Sequence, residues 1–123
     1  MKVWLVKISE TLPIASGVRK ARTAMIADSL LSRGHDVLWW GGTFDHHRKL
    51  SVYNKDTTLT LRPGYCLKLL RGVDYSRNIS LRRFVDHKII ASKFARMARQ
   101  TPQPQLIVAS MPSYDLAYEA LRY

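Results

Sequence analysis

The stretch Leu30-Leu31-Ser32-Arg33-Gly34-His35-Asp36-Val37-Leu38-Trp39-Trp40 decides the fold. Upstream of it, Ala21, Met25, Ala27 (or Ile26), Leu30 and Leu31 recur at three- and four-residue spacing. Arg19, Lys20, Arg22 and Asp28 take the other faces, which predicts an amphipathic helix over residues 18 to 33. Gly34 stands where a helix C′ residue adopts a left-handed conformation, open to glycine without steric cost. The chain then runs straight into Asp36-Val37-Leu38-Trp39-Trp40, a second strand. Before the helix, Val3-Trp4-Leu5-Val6-Lys7-Ile8 is a short apolar, β-rich run that reads as a buried strand, and residues 9 to 17 form a loop broken by Pro13 and Gly17. The opening unit is therefore strand–loop–helix–strand.

Past Gly41-Gly42, residues 43 to 49 read as a polar loop. Asp56-Thr57-Thr58-Leu59-Thr60-Leu61 alternates and is rich in threonine, predicting a third strand stopped by Pro63-Gly64. Leu67, Leu69 and Leu70 fit a strand end or a short helical turn equally, and residues 72 to 78 read as loop. Ser80 is a candidate N-cap for a helix running to about Gln100, with Leu81, Phe84, Val85, Ile89, Ala91, Phe94, Ala95 and Ala98 as its apolar residues. Thr101-Pro102-Gln103-Pro104 stops it. Gln105-Leu106-Ile107-Val108-Ala109-Ser110 predicts a buried strand, and Ser113 is placed to cap a last helix from Tyr114. This order predicts one α/β domain over residues 1 to 123, Rossmann-like, with a mostly parallel sheet and helices on both faces.

With 123 residues, 46% hydrophobic and 24% charged, the chain has the composition of a single globular domain rather than a disordered one. No apolar run approaches the ~18 residues a membrane span needs, and the start lacks the pattern of a signal peptide. Cys66 is the only cysteine, so no internal disulfide can form. A reducing, cytoplasmic location is expected. The net charge is +11, and between Arg62 and Arg99 ten Lys/Arg stand against only Asp74 and Asp86. A zone of this kind attracts nucleic acid, anionic lipid or phosphorylated substrates, and charge alone does not choose among them.

In an open parallel sheet, ligands bind at the carboxyl ends of the strands. Three loops are predicted there, at residues 9–17, 41–49 and 110–113. In the first, Gly17 precedes a helix, letting backbone N–H groups approach an anion, with Arg19 and Arg22 as phosphate partners. A strand-to-helix turn explains Gly17 equally well, and the dinucleotide fingerprint is absent. In the second loop, adjacent residues such as His46 and His47 point apart on an extended backbone, so no metal site is expected. Sugar or acceptor contact by one of them fits better. No P-loop, no G-x-S-x-G elbow and no partnered Cys66 nucleophile is present. No metal and no cofactor is expected. The helix from Ser80 carries Arg82, Arg83, Lys88, Lys93, Arg96 and Arg99, which suit either solvent or contact with an anionic membrane surface.

The L-x-x-RGH-[DE]-V element spanning Leu30 to Val37 resembles family 4 glycosyltransferases, where the first helix ends at the glycine and strand two follows directly. Trp39-Trp40, Thr43-Phe44-Asp45-His46 and Arg62-Pro63-Gly64-Tyr65 resemble a subgroup acting in bacterial surface polysaccharide or lipopolysaccharide assembly. The resemblance covers essentially the whole chain. It implies the N-terminal, acceptor-side part of a GT-B fold, with a nucleotide-sugar donor held mainly by a second domain, and retaining, metal-independent chemistry. By position it implies that Ser16, Gly17 and Arg19 face the donor phosphates. Asp45, His46, His47, Ser110, Met111 and Pro112 would line the acceptor side, a glycan or a lipid-linked acceptor. The basic helix would dock on an anionic surface at the inner face of the membrane.

Two departures from the family matter. Ser16-Gly17 stands where many members have paired glycines, and neither the rest of the N-terminal sheet nor an E-x7-E donor motif is present. The expectation is a truncated frame, an expressed fragment or half of a split enzyme, inactive alone. A stand-alone basic module binding anionic lipid or nucleic acid is the alternative. Nucleic acid is disfavoured, because Phe84 and Phe94 are expected on the apolar helix face rather than among the cations. A small nucleotide-binding regulator is a third reading, which would bind UDP or GDP unaided.

Overall fold

The computed structural model describes residues 1–14, 19–45, 50–73, 81–111 and 114–123, with residues 45, 50 and 51 described by backbone alone. Among the described residues, seven strands and three helices follow in the order β1 (Lys2–Val6), α1 (Arg22–Ser32), β2 (Asp36–Gly42), β3 (Phe44–Asp45), β4 (Leu50–Ser51), β5 (Thr57–Arg62), β6 (Tyr65–Leu70), α2 (Leu81–Ala98), β7 (Leu106–Ala109) and α3 (Tyr114–Arg122). Five of the strands form one sheet in the order β5-β6-β2-β1-β7. Four of these run parallel, and β5 pairs antiparallel with β6 at one edge. The α/β class and the mostly parallel sheet are as expected.

The decisive turn forms as its sequence dictates. Gly34 takes a φ of +83°, and the amides of Arg33, Gly34 and His35 donate back to the carbonyls of Leu30 and Leu31. These bonds satisfy the helix's last carbonyls and release the chain into β2. At its other end α1 is shorter than predicted, beginning at Arg22 rather than near residue 18. Residues 15 to 18, with Ser16 and Gly17, lie outside the described residues.

Alternation in β1 sends side chains to two cores. Val3 and Leu5 join Val37, Trp39, Tyr65, Leu67 and Leu69 beneath Ala24 and Ala27 of α1. Trp4 and Val6 join Trp40, Leu70, Ile90, Phe94, Ala98, Leu116 and Ala120 under α2 and α3. The sheet thus has helices on both faces. The second core centres on three fully buried aromatics, with Trp40 edge-on to Trp4 at 5.2 Å and to Phe94 at 5.0 Å.

Pro63-Gly64 stops β5 as expected, and does so as the turn of a β-hairpin, with Gly64 at a φ of +81°; of the two forms left open for Leu67, Leu69 and Leu70, the strand is the one observed. Three expectations are corrected. The loop at 43–49 begins within a small antiparallel pairing of β3 with β4. β7 is not buried: among the described residues it pairs with β1 alone, and Leu106 is exposed. Finally, Leu81, Phe84 and Val85 do not pack on the sheet. The face of α2 that does is Asp86, Ile90, Ala91, Phe94 and Ala98. The Ser80 and Ser113 caps fall outside the described residues.

Candidate functional site

Parallel pairing brings the carboxyl ends of β1, β2, β6 and β7 to one end of the sheet, and the chain's polar loops leave from there. The loops after β1 and β7 are tied together. The Ser110 amide donates to the Val6 carbonyl at 3.0 Å, and Lys7 Nζ donates to the Met111 carbonyl at 2.9 Å. Ser110 is half-buried there and Met111 exposed. Two of the predicted acceptor residues thus sit beside the end of β1, with a lysine holding their backbone.

The loop after β1 carries a strained residue. Ser9 adopts a φ of +61°, a left-handed conformation that costs a non-glycine residue of order 1 kcal/mol or more. It directs the chain so that the next residue, Glu10, reaches the first turn of α1. Glu10 accepts from the Thr23 backbone N–H at 2.7 Å and from the Thr23 hydroxyl at 2.8 Å. Ala21, at the N-cap position, has no side-chain acceptor to offer. The carboxylate therefore supplies both the missing cap and the negative charge that a helix N-terminus favours. Arg19, on the segment leading into α1, is exposed.

A second polar cluster lies past the end of β6. Asp56 accepts from the Arg71 amide at 2.6 Å and from Lys93 Nζ at 2.8 Å. Burial alone would raise the Asp56 pKa. The Lys93 and Arg71 hydrogen bonds, with the Lys93 and Arg96 charges, outweigh it and hold the carboxyl below its ordinary range. Lys93 is therefore engaged within the fold rather than offered to a partner. Next to it, Gly72 packs so tightly on Asp86 that a Cβ there would lie 2.1 Å from Asp86 Oδ1.

Along α2, Arg82, Lys88, Arg96 and Arg99 are exposed, while Arg83 and Lys93 are half-buried. Eighteen residues of helix span about 27 Å, so the predicted basic surface is a long stripe rather than a compact site. Because α2 follows β6, its first turn lies at the carboxyl end of the sheet and Arg99 near the amino end.

Of the predicted site residues, the structure brings Ser110 and Met111 beside Lys7 and the Glu10 loop. Asp45 lies on β3, beyond the end of β2. Ser16, Gly17, His46, His47 and Pro112 lie outside the described residues. Among the described residues, no group of three His, Cys, Asp or Glu side chains is arranged to hold a metal ion, and no helix is long and apolar enough to cross a membrane. Among the described residues, clefts also open at the amino end of the sheet, away from these loops. One, of about 460 Å³, lies between the end of α2 and α3, and one of about 550 Å³ lies beside the Gly34 turn.

Lys7 and Glu10 were not among the sequence candidates. Glu10 carried no usable sequence signal, because the sequence places the helix start near residue 18 and only the structure shows Ala21, without a side-chain acceptor, entering the helix. Lys7 carries no sequence signal, since its role depends on β7 lying next to β1. Comparison with protein-family models, with curated proteins and with solved structures finds no match.

Proposed function

We propose that the chain is the acceptor-binding portion of a nucleotide-sugar-dependent glycosyltransferase of bacterial surface polysaccharide or lipopolysaccharide assembly, with a Rossmann-like fold of the GT-B N-terminal type. The observation that carries this reading is the run of four parallel strands with α1 after β1, which collects the loops after β1, β2 and β7 at one end. That end is where an open α/β sheet takes its ligand. The Leu30–Val37 element, whose Gly34 turn forms as the family resemblance requires, supports it further.

In this reading Ser110, Met111 and Pro112, with Asp45, His46 and His47, line the acceptor side. Lys7 acts on Met111 through the backbone and is a positioning residue, holding the loop after β7 in place. Ser16, Gly17 and Arg19 face the donor phosphates. Glu10 already engages the Thr23 amide and hydroxyl, so among the described residues named for this role the exposed Arg19 is the one left for phosphate. The sugar donor is held by a second domain, and this chain orients the acceptor without catalysing transfer by itself.

A second reading, a stand-alone basic module for anionic lipid or nucleic acid, is favoured by the exposed Arg82, Lys88, Arg96 and Arg99 of α2. Isothermal titration of the chain with a soluble glycan acceptor, with UDP and with GDP tests the first reading. It expects glycan binding and little or no nucleotide binding. Tight UDP or GDP binding without glycan binding would overturn it in favour of a nucleotide-binding regulator.

A further inference from the structure

The sheet ends on one side in β5, and among the described residues β5 pairs with β6 alone. Its outer backbone N–H and C=O groups are a template for another strand, and proteins ordinarily blunt such an edge with a lysine, a proline or a bulge. Thr57-Thr58-Leu59-Thr60-Leu61 carries neither charge nor proline, and its register shift comes only at the end, between Thr60 and Arg62. Three of these five residues are threonine, whose branched side chain favours strands. Leu59 and Leu61 pack against the first core yet are only half-buried. The edge is thus both open and incompletely covered.

We infer that β5 pairs antiparallel with β5 of a second copy of this chain, about a two-fold axis at Leu59, joining the two five-stranded sheets into one. The occupant follows from the edge itself, since a two-fold contact needs a surface that complements itself. With Leu59 opposite Leu59 of the second copy, Thr58 meets Thr60 and Thr57 meets Leu61. Thr58 and Thr60 are both exposed, and facing threonines form a favourable cross-strand pair. One step further out, Arg62 meets Asp56 at each end of the pairing, and beyond that Lys55 meets Pro63. No like charges therefore face one another, which matters between two chains of +11 each. Both partners of the end pairs have capacity to spare. The Arg71 amide and Lys93 both bond Asp56 at Oδ1, leaving Oδ2, and Arg62 bonds Asp28 through one nitrogen of its guanidinium. β5 lies at the opposite edge of the sheet from β7, so the pairing leaves the Lys7–Met111 contact untouched and does not rest on the acceptor reading.

Sedimentation velocity of the chain over a range of concentrations, at low and high salt, tests the pairing. We expect a monomer–dimer equilibrium that added salt strengthens, because salt screens the repulsion between two copies of +11. The double variant Thr58→Lys, Thr60→Lys sets lysine against lysine on both sides of the axis and should weaken the dimer about tenfold or more. Its far-ultraviolet circular dichroism should match the parent's, since both threonines are exposed. Thr58→Glu, Thr60→Glu should weaken the dimer in the same way. Mixing the two double variants opposes lysine to glutamate at every one of these positions and should restore association to the parent's level or above. A variant that had merely misfolded would not be rescued by mixing. A parent chain that stays monomeric at every concentration, or a lysine variant that dimerises as tightly as the parent, would overturn the pairing. So would assembly that continues past the dimer, or mixed variants that fail to associate.

Discussion

The Glu10 carboxylate reaches across the loop after β1 to take both the amide and the hydroxyl hydrogen of Thr23, thirteen residues later. Ordinarily an N-cap side chain serves this purpose from the residue entering the helix. Here that residue is Ala21, and the cap comes from a distant segment. The contact fixes the route of the loop as well as the start of the helix. Glu10→Ala should therefore cost about 1–2 kcal/mol, and Glu10→Gln, which keeps one acceptor oxygen, should cost less. Urea unfolding of the two variants at neutral pH checks the order. Equal stability of Glu10→Ala and the parent would show that the cap does not form.

Asp56 makes stability depend on acid. Its folded pKa lies below the ordinary value of 3.8 because the Lys93 and Arg71 hydrogen bonds outweigh burial. The stabilisation is thus complete above that ordinary value and is lost as pH falls through the lower folded one. Asp56→Asn should be less stable than the parent at neutral pH, and the gap should close below about pH 4. Chemical denaturation across that range measures it. A gap that stays constant down to the lowest pH would mean that the carboxylate's charge contributes nothing.

Gly72 is required by space. A Cβ would stand 2.1 Å from Asp86 Oδ1 and 3.0 Å from the Asp86 backbone oxygen. Moving α2 away from the end of β6 is the only relief besides a shift of the buried carboxylate. Gly72→Ala should lower stability by roughly 1–3 kcal/mol, read as a drop in melting temperature. No drop would show that α2 can yield at this point.

Phe94 closes the aromatic cluster, set edge-on to Trp40 at 85° and near Trp4 at 6.2 Å. Phe94→Ala should cost about 3–5 kcal/mol and alter the near-ultraviolet circular dichroism of the two tryptophans. An unchanged spectrum would contradict their packing.

Much of this architecture was legible in the sequence because its signals were local. The Arg33-Gly34 helix end, the apolar β1 and β2 and the Pro-flanked stop after α2 each depend on a few neighbouring residues, and each stands where it was expected. Misreadings arose where tertiary context decided. Pro63-Gly64 stops β5 as expected, but that it does so as a hairpin turn, leaving residues 65 to 70 as a strand, shows only in the pairing of β5 with β6. Leu81, Phe84 and Val85 look like a helix's packed face by type, but the helix is rotated so that Ile90 and Phe94 meet the sheet. For the same reason Ala109 and Leu106 read as buried until β7 proved to be an edge. Of the candidate site, the sequence located the loops, while the Lys7–Met111 and Glu10–Thr23 contacts needed the strand order to exist.

The most direct test of the account is a map of backbone amide chemical shifts during titration with a soluble glycan acceptor. The account predicts that perturbations gather at Lys7 to Glu10, Ser110 and Met111, with the Gly34 turn and the clefts at the amino end of the sheet unchanged. Perturbations confined to those amino-end clefts, or none at any glycan concentration while UDP or GDP shifts the first loop, would contradict it.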